Sequence, residues 1–243
     1  MHRIAAFLFG VVCYAVFFVA FLYLIGFLGK FVVPKDIDFG EEGPLAVSLV
    51  VNVLLIGLFG VQHSVMARRG FKAWWTKIIP TPLERSVYTL LSGLCLFLLY
   101  WLWQPMTATI WGLDNPMGRL LLQGLFLLGF VIVLITSLLI DHFDLFGLRQ
   151  VFLYLRGQEY AAKRFVTPGP YKFIRHPLYV GWLITFWATP DMTAGHLLFA
   201  VGMSAYIFLA IPHEERDLLH FLGDEYRRYR EKTPMLLPIP KRK

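Results

Sequence analysis

The sequence predicts an all-α, polytopic membrane protein, and three observations support this prediction. Of the 243 residues, 57% are hydrophobic and only 16% are charged, and the mean hydropathy is +0.60. A typical soluble domain carries about 25% charged residues. Long apolar stretches alternate with short segments that hold most of the Lys and Arg residues. We therefore expect four transmembrane helices and a C-terminal helical hairpin, with helical extensions on the cytoplasmic side.

The first two predicted spans lie before residue 68. Residues 4–29 contain no Asp, Glu, Lys or Arg, so they can form one tilted transmembrane helix. A cleaved signal peptide is the rival interpretation, but its apolar core would cover only about 7–15 residues and an A-x-A-like site would follow it. Pro44 begins the second span, which extends to about Ala67 and carries His63 near its far end.

Two further spans follow a basic connector, residues 68–85. Trp74 and Trp75 lie in this connector, where they are expected to anchor the chain at the membrane interface. The third span covers about 86–104 and the fourth about 117–140. Residues 141–171 form the longest polar segment, which predicts a short interfacial helix followed by a turn.

The C-terminal part predicts a hairpin. Pro168, Gly169 and Pro170 are typical of a tight turn, and Pro177 is placed to begin a helix at its first position. The arm 178–190 is too short for a perpendicular crossing, 191–195 is the expected tip, and the returning arm 193–212 is long enough to cross. We predict one domain, 1–243, with a transmembrane scaffold in 1–140 and the site-bearing region in 141–243.

The distribution of charge predicts the orientation and excludes other classes. With the N-terminus inside, 20 Lys and Arg residues fall on the cytoplasmic side and 3 on the opposite side, which favours cytoplasmic termini. The net charge of +7 therefore reflects membrane topology, and we expect no nucleic acid partner. Cys13 and Cys95 lie within apolar stretches and predict no disulfide framework. The sequence has no H-E-x-x-H, C-x-x-C or G-x-G-x-x-G pattern, so neither a metal site nor a Rossmann fold is expected.

Two motifs, GPYKFIRHPLYVGW (169–182) and HEERDLLHFLGDEYRRYREKTPMLLP (213–238), resemble the paired C-terminal signature of the isoprenylcysteine carboxyl methyltransferase superfamily. QHSVMARRGFKAWW (62–75), PTPLERSVYTL (80–90) and DHFDLFGLRQ (141–150) resemble its branch of bacterial methanethiol S-methyltransferases. The resemblance implies an integral membrane enzyme that uses S-adenosyl-L-methionine to convert methanethiol to dimethyl sulfide and S-adenosylhomocysteine.

The resemblance also implies a set of cofactor-binding residues. One side of the pocket would comprise Tyr171, Arg175, His176, Pro177, Tyr179 and Gly181. The other side would comprise Glu214 and Arg216, with Glu215 as a substitute for its neighbour. From the residues alone, the first turn of the helix beginning at Pro177, with Arg175 and His176 beside it, is a natural site for an anionic group.

The acceptor chemistry points to a base. A thiol reacts as its thiolate, so a nearby imidazole would assist the transfer. The candidate bases are His142, His63 and His176, with Asp141 or Asp144 able to orient an imidazole, and the predicted topology places these residues at the cytoplasmic level. Proximity and exclusion of water are the alternative source of acceleration.

Other functions stay open at this point. A related enzyme could act on a prenylcysteine carboxylate, a phospholipid amine or another small thiol. A non-catalytic membrane protein, such as a transporter or an assembly factor linked to nitrogen-oxide metabolism, is the rival from another class. We expect a small thiol substrate, membrane lipid around the helices, no obligate protein partner, and a location in the bacterial inner membrane.

Overall fold

The computed structural model describes residues 2–161 and 164–239. This part of the chain is mostly helical, as predicted, and has two short β-strands that the sequence did not predict. The helices are α1 (Arg3–Gly29), α2 (Leu45–Ala67), α3 (Arg69–Trp75), α4 (Glu84–Leu102), α5 (Pro116–Ile140), α6 (His142–Leu145), α7 (Leu148–Leu155), α8 (Pro177–Trp187), α9 (Ala194–Leu222) and α10 (Asp224–Lys232). The strands are β1 (Thr109–Gly112) and β2 (Asp191–Thr193), and 3-10 turns occupy Thr81–Leu83 and Gly169–Lys172.

Five helices are long and apolar enough to cross a membrane, and four of them match the predicted spans within a few residues. They are α1, α2, α4 with the preceding 3-10 turn, α5 and α9. The prediction that the returning arm ends near Pro212 is wrong, because α9 continues as one helix to Leu222. A proline inside a helix removes one backbone hydrogen bond, and here the helix continues past it.

The described residues divide into two compact units. Unit 1 contains 2–112, 142–161 and 191–199, and in it α1 packs against α4 and α7 while α2 packs against α4. Its core includes Phe27, Trp103 and Phe199, whose ring centroids lie 5.9–6.4 Å apart. The single-domain organisation stays a prediction.

The loops of unit 1 are held by side-chain hydrogen bonds to the backbone. Lys35 Nζ donates to the carbonyl oxygens of Trp101 (2.6 Å) and Trp103 (3.0 Å), which caps the end of α4. The buried Asn52 side chain donates to the carbonyl of Gln104 (2.8 Å) and accepts from its N–H (2.9 Å). Strands β1 and β2 pair antiparallel. These contacts tie the connecting segments to the helices.

Unit 2 contains 113–141, 164–190 and 200–239, and its centre is the contact between α5 and α8. A Cβ at Gly181 would lie 2.8 Å from the carbonyl oxygen of Gly129, and a Cβ at Gly129 would lie 2.8 Å from the carbonyl oxygen of Gly181. Two glycines therefore allow the helix backbones to approach closely. Trp187 Nε1 donates to Ser204 Oγ at 3.0 Å, which connects α8 to α9. This packing fixes the helix that begins at Pro177.

Candidate active site

The turn and helix predicted around the first motif are confirmed. Gly169 has φ +50° and begins the 3-10 turn Gly169–Lys172, a left-handed conformation that glycine adopts easily. Pro177 occupies the first turn of α8, where its missing N–H removes no helical bond. Arg175 and His176 are therefore held between a rigid turn and a helix start.

A pair of ionic contacts joins the first motif to the second. Arg175 Nε donates to Glu215 Oε1 at 2.7 Å, and His176 Nε2 lies 3.1 Å from the same oxygen. The side chains of Arg175 and Glu215 are only 8% and 10% exposed. Buried charges are tolerated when they are paired and hydrogen-bonded. Glu215, which we expected only as a substitute for Glu214, is thus the partner of Arg175 and His176.

Glu214 takes a different position from its neighbour. Tyr179 donates its hydroxyl to Glu214 Oε2 at 2.8 Å, and His176 Nδ1 lies 3.9 Å from that oxygen. The ring of His176 stacks on that of Tyr179, with centroids 5.5 Å apart. The Glu214 side chain stays 43% exposed, so this carboxylate can still meet a ligand. We call Arg175, His176, Tyr179, Glu214 and Glu215 the charged cluster.

The end of α10 and the segment that follows it contact Arg175 and His176. Arg175 Nη1 donates to the carbonyl oxygens of Arg230 (3.2 Å) and Thr233 (2.5 Å). The backbone N–H groups of Arg175 and His176 donate to the carbonyls of Pro234 (2.9 Å) and Met235 (3.1 Å). The Arg175 guanidinium, which we expected beside an anionic group, is therefore engaged inside the chain. A direct contact of Arg175 with the cofactor stays a prediction.

Three tyrosines surround the charged cluster. Tyr229 donates its hydroxyl to the carbonyl oxygen of Tyr171 at 2.6 Å, which holds the 3-10 turn. Burial raises the pKa of Tyr229 to about 12. Burial and the carboxylate of Glu214 raise the pKa of Tyr171, and burial and Glu215 raise that of Tyr226. All three phenols are therefore hydrogen-bond donors at neutral pH.

The remaining predicted cofactor residues have separate environments. Gly181 is buried against α5, which gives it a packing role. Pro177 is buried at the start of α8, and Arg216 is exposed on α9. Contacts of these three residues with a cofactor stay predictions.

His63 lies in a closed hydrogen-bonded network in unit 1. Its Nε2 is 2.8 Å from the hydroxyl of Tyr88, and its Nδ1 is 3.1 Å from that of Ser92. The Ser92 hydroxyl donates to the backbone carbonyl oxygen of Tyr88 (2.9 Å) and to the side-chain oxygen of Gln62 (3.3 Å). Ser92 must then accept from Nδ1–H, and Nε2 accepts from Tyr88. Both nitrogens of a neutral His63 are engaged in this histidine network, so a base role would require Tyr88 to rotate away.

His142 is hydrogen-bonded to a tyrosine and packs against aromatic rings. Its Nε2 lies 2.7 Å from the hydroxyl of Tyr14, and its ring packs 4.7 Å from that of Phe146. Burial lowers the pKa of His142, so its imidazole is neutral at pH 7. A neutral imidazole is the protonation state that a base requires, and its role as base stays a prediction.

The two candidate aspartates fall in different units. Asp144, in unit 1, accepts from Arg149 Nη1 and from the Tyr160 hydroxyl, both at 3.1 Å. Asp141, in unit 2, follows α5 with φ +99°. The role of either carboxylate in orienting an imidazole stays a prediction. Within 2–161 and 164–239, no group of three or more His, Cys, Asp or Glu residues is arranged to hold a metal ion.

Sequence reasoning missed the tyrosines that support the site. Tyr226 and Tyr229 stand in the motif EYRRY, and an i,i+3 spacing puts them on one face of α10. This signal could have identified them as a pair, because charged residues fill the positions around them. Tyr88 and Ser92 carry no comparable signal, because hydroxyl residues are common inside apolar helices.

Comparisons with known proteins identify the class. The sequence model of the Isoprenylcysteine carboxyl methyltransferase (ICMT) family matches residues 150–220, which contain the charged cluster. With five helices able to cross a membrane, this match defines an integral membrane methyltransferase. No solved structure matches the chain.

Curated relatives identify the family. The chain is 51% identical over 242 residues to Methanethiol S-methyltransferase of Mycobacterium tuberculosis (strain ATCC 25618 / H37Rv), covering 100% of this chain and 99% of the relative. It is 48% identical over 239 residues to Methanethiol S-methyltransferase of Crocosphaera subtropica (strain ATCC 51142 / BH68), covering 98% and 94%. The chain belongs to the methanethiol S-methyltransferase family.

Proposed function

We propose that this methyltransferase transfers a methyl group from S-adenosyl-L-methionine to methanethiol, giving dimethyl sulfide and S-adenosylhomocysteine. The charged cluster is the observation that supports the proposal, because it joins the two motifs inside the segment that matches the ICMT family. Methanethiol is the substrate named in the relatives. A prenylcysteine carboxylate, a lipid amine or another thiol are the acceptors that the experiment must exclude.

The residues of the charged cluster fit the cofactor. Glu214 offers a half-exposed carboxylate to an ammonium group, and Tyr179 fixes that carboxylate through a 2.8 Å hydrogen bond. The aromatic ring of Tyr179 lies beside it and favours a positively charged group. When bound, S-adenosyl-L-methionine supplies an activated methyl group. Arg175 and Glu215 hold the turn and helix start through their buried ion pair.

We also propose a membrane arrangement. The helices α8 and α9 form the C-terminal hairpin, the chain works as one domain in the bacterial inner membrane, and α10 lies on the cytoplasmic side. The asymmetry of 20 against 3 Lys and Arg residues supports cytoplasmic termini. S-adenosyl-L-methionine is a cytosolic metabolite, so the cofactor would enter from that side.

The test is headspace gas chromatography of purified protein incubated with S-adenosyl-L-methionine and methanethiol. We expect dimethyl sulfide from the parent, at least a tenfold loss with Glu214→Gln, and full activity with Glu231→Gln, which changes an exposed residue of α10. If S-adenosylhomocysteine binds but no dimethyl sulfide forms, the acceptor is wrong. If it does not bind either, the proposed function is wrong.

A further inference from the structure

The hydroxyl of Tyr226 stands out among the polar groups of unit 2. Tyr226 is only 2% exposed, and its phenol oxygen has no hydrogen-bond partner in the part of the chain that the structure describes. Buried hydroxyls in proteins are almost always bonded, because an unpaired one costs stability. Such a group needs an explanation, and a partner supplied by a bound ligand is one that the surrounding charges support.

The ring of Tyr226 is held firmly in place. It meets the ring of Phe165 edge-on, with centroids 5.9 Å apart, and that of Tyr229 at 5.8 Å. Tyr229 is itself anchored by its bond to the carbonyl of Tyr171. The Tyr226 hydroxyl is therefore a positioned donor. Since burial and the Glu215 carboxylate raise its pKa, it keeps its proton at neutral pH.

One oxygen of each carboxylate in the charged cluster already accepts hydrogen bonds. Glu215 Oε1 is hydrogen-bonded to Arg175 and His176, and Glu214 Oε2 accepts a hydrogen bond from the Tyr179 hydroxyl. Two carboxylates attract a positively charged group, whereas a phenol hydrogen attracts an acceptor. An α-amino-acid group presents an ammonium and a carboxylate on one carbon atom. It is thus complementary to a carboxylate beside a hydroxyl donor.

We propose that the Tyr226 hydroxyl donates a hydrogen bond to the carboxylate of the α-amino-acid group of the methyl donor, while Glu214 binds its ammonium group. This inference rests on the proposed function. Tyr226 lies on α10, beyond the segment 150–220 that matches the ICMT family. The proposed hydrogen bond from Tyr226 makes α10 part of the cofactor pocket, in addition to the contact of α10 with Arg175.

The test uses Tyr226→Phe, which removes the oxygen and keeps the ring. Calorimetric titration would compare S-adenosylhomocysteine with 5′-methylthioadenosine, which has the nucleoside but no amino-acid group. We expect S-adenosylhomocysteine to bind Tyr226→Phe about tenfold more weakly, as for a lost hydrogen bond to a charged acceptor. Affinity for 5′-methylthioadenosine should not change. The melting temperature without ligand should stay the same or rise, because an unpaired buried hydroxyl is gone.

Tyr229→Phe is the matched comparison on the same face of α10. It loses the bond to the Tyr171 carbonyl, so we expect a lower melting temperature and equal weakening of both ligands. The inference is overturned if Tyr226→Phe leaves the affinity for S-adenosylhomocysteine unchanged, or if it weakens both ligands equally. If the parent protein binds no S-adenosylhomocysteine, the proposed function fails and this inference fails with it.

Discussion

The charged cluster of unit 2 and the histidine network of unit 1 use similar residues in opposite ways. In the histidine network, His63, Tyr88 and Ser92 satisfy one another as neutral groups. In the charged cluster, Arg175 and Glu215 are ion-paired and Glu214 stays 43% exposed. Beside the cluster, the Tyr226 hydroxyl has no hydrogen-bond partner among the described residues. The first arrangement has little capacity left for a ligand. The second retains both an acceptor and a donor.

This difference follows from the cost of burying charge. A buried ion pair often stabilises a protein less than apolar packing of the same size, whereas neutral hydrogen bonds between helices are inexpensive when every partner is satisfied. Charge is therefore expected where a ligand needs it. The comparison teaches that the polar residues inside apolar helices divide into those that stabilise the scaffold and those that recognise a charged molecule.

The largest effect is expected from Glu215→Gln. The change leaves the buried Arg175 guanidinium without its ionic partner, so we expect a loss of about 3–5 kcal/mol in the free energy of unfolding and loss of S-adenosylhomocysteine binding. Chemical unfolding in detergent and calorimetry would measure the two effects. Glu231→Gln is the matched control on an exposed site. A stable Glu215→Gln variant that still binds S-adenosylhomocysteine would contradict the distinction between the charged cluster and the histidine network.

A smaller effect is expected where α8 meets α5. Gly181→Ala would place a Cβ 2.8 Å from the carbonyl oxygen of Gly129, so we expect a loss of about 1–3 kcal/mol from overpacking and weaker cofactor binding. Gly124→Ala is the control, because nothing lies within 4 Å of its added Cβ. Equal unfolding curves for the two variants would show that close packing of α8 does not position the cluster.

Tyr88→Phe tests the histidine network. The change leaves His63 Nε2 without its donor, and we expect a loss of about 1–2 kcal/mol in the free energy of unfolding. Residual activity should keep the pH profile of the parent, because the network stabilises the scaffold. The measurement is the rate of dimethyl sulfide formation between pH 6 and 9. A shifted profile would instead show that His63 and Tyr88 carry the proton of the thiol.

The pH dependence of stability should reveal His142. Burial lowers its pKa in the folded protein, so the unfolded chain binds more protons in the window below the ordinary histidine value of about 6.5. The contribution of His142 is thus present above that value and is lost as the pH falls. We expect the melting temperature to drop between pH 7 and 5, and to drop less for His142→Gln. The same drop in both proteins would contradict the buried, neutral state.

The smallest effect is expected from Arg227→Ala. Arg227 pairs with Asp224 at 2.7 Å, but their side chains are 63% and 78% exposed. Exposed pairs contribute little, so we expect a change of at most about 0.5 kcal/mol in unfolding and no change in cofactor affinity. The contrast with Glu215→Gln would show that burial determines what an ion pair does in unit 2.

Much of the fold could be predicted from the sequence, because long apolar stretches and prolines are local signals. The predicted second and fourth spans agree with α2 and α5 within one residue at each end. The strands β1 and β2 have four and three residues, too few for a periodic pattern. The end of α9 was misplaced because the returning arm was expected to end where the sequence becomes charged, after His213. A change in composition does not by itself show where a helix ends.

The site was predictable only in part. The motifs identified both halves of the charged cluster, but Glu214 and Glu215 are adjacent, and only their positions on α9 decide which one meets Arg175. The tautomer of His63 depends on Ser92, which lies 29 residues away in the sequence. Such pairings arise from helix packing, which the sequence does not encode locally.

The hydrogen bonds to the carbonyl groups of Pro234 and Met235 have a consequence for the order in which the two regions fold. These carbonyl groups bond the N–H groups of Arg175 and His176, yet the ribosome adds them roughly 60 residues later, since Arg175 and Pro234 are 59 positions apart. Folding during synthesis proceeds from the N-terminal side, so the histidine network can form while the chain is still growing. The turn that carries the charged cluster must wait, and a ribosome that stalls before residue 233 would leave a membrane scaffold with an unfinished site.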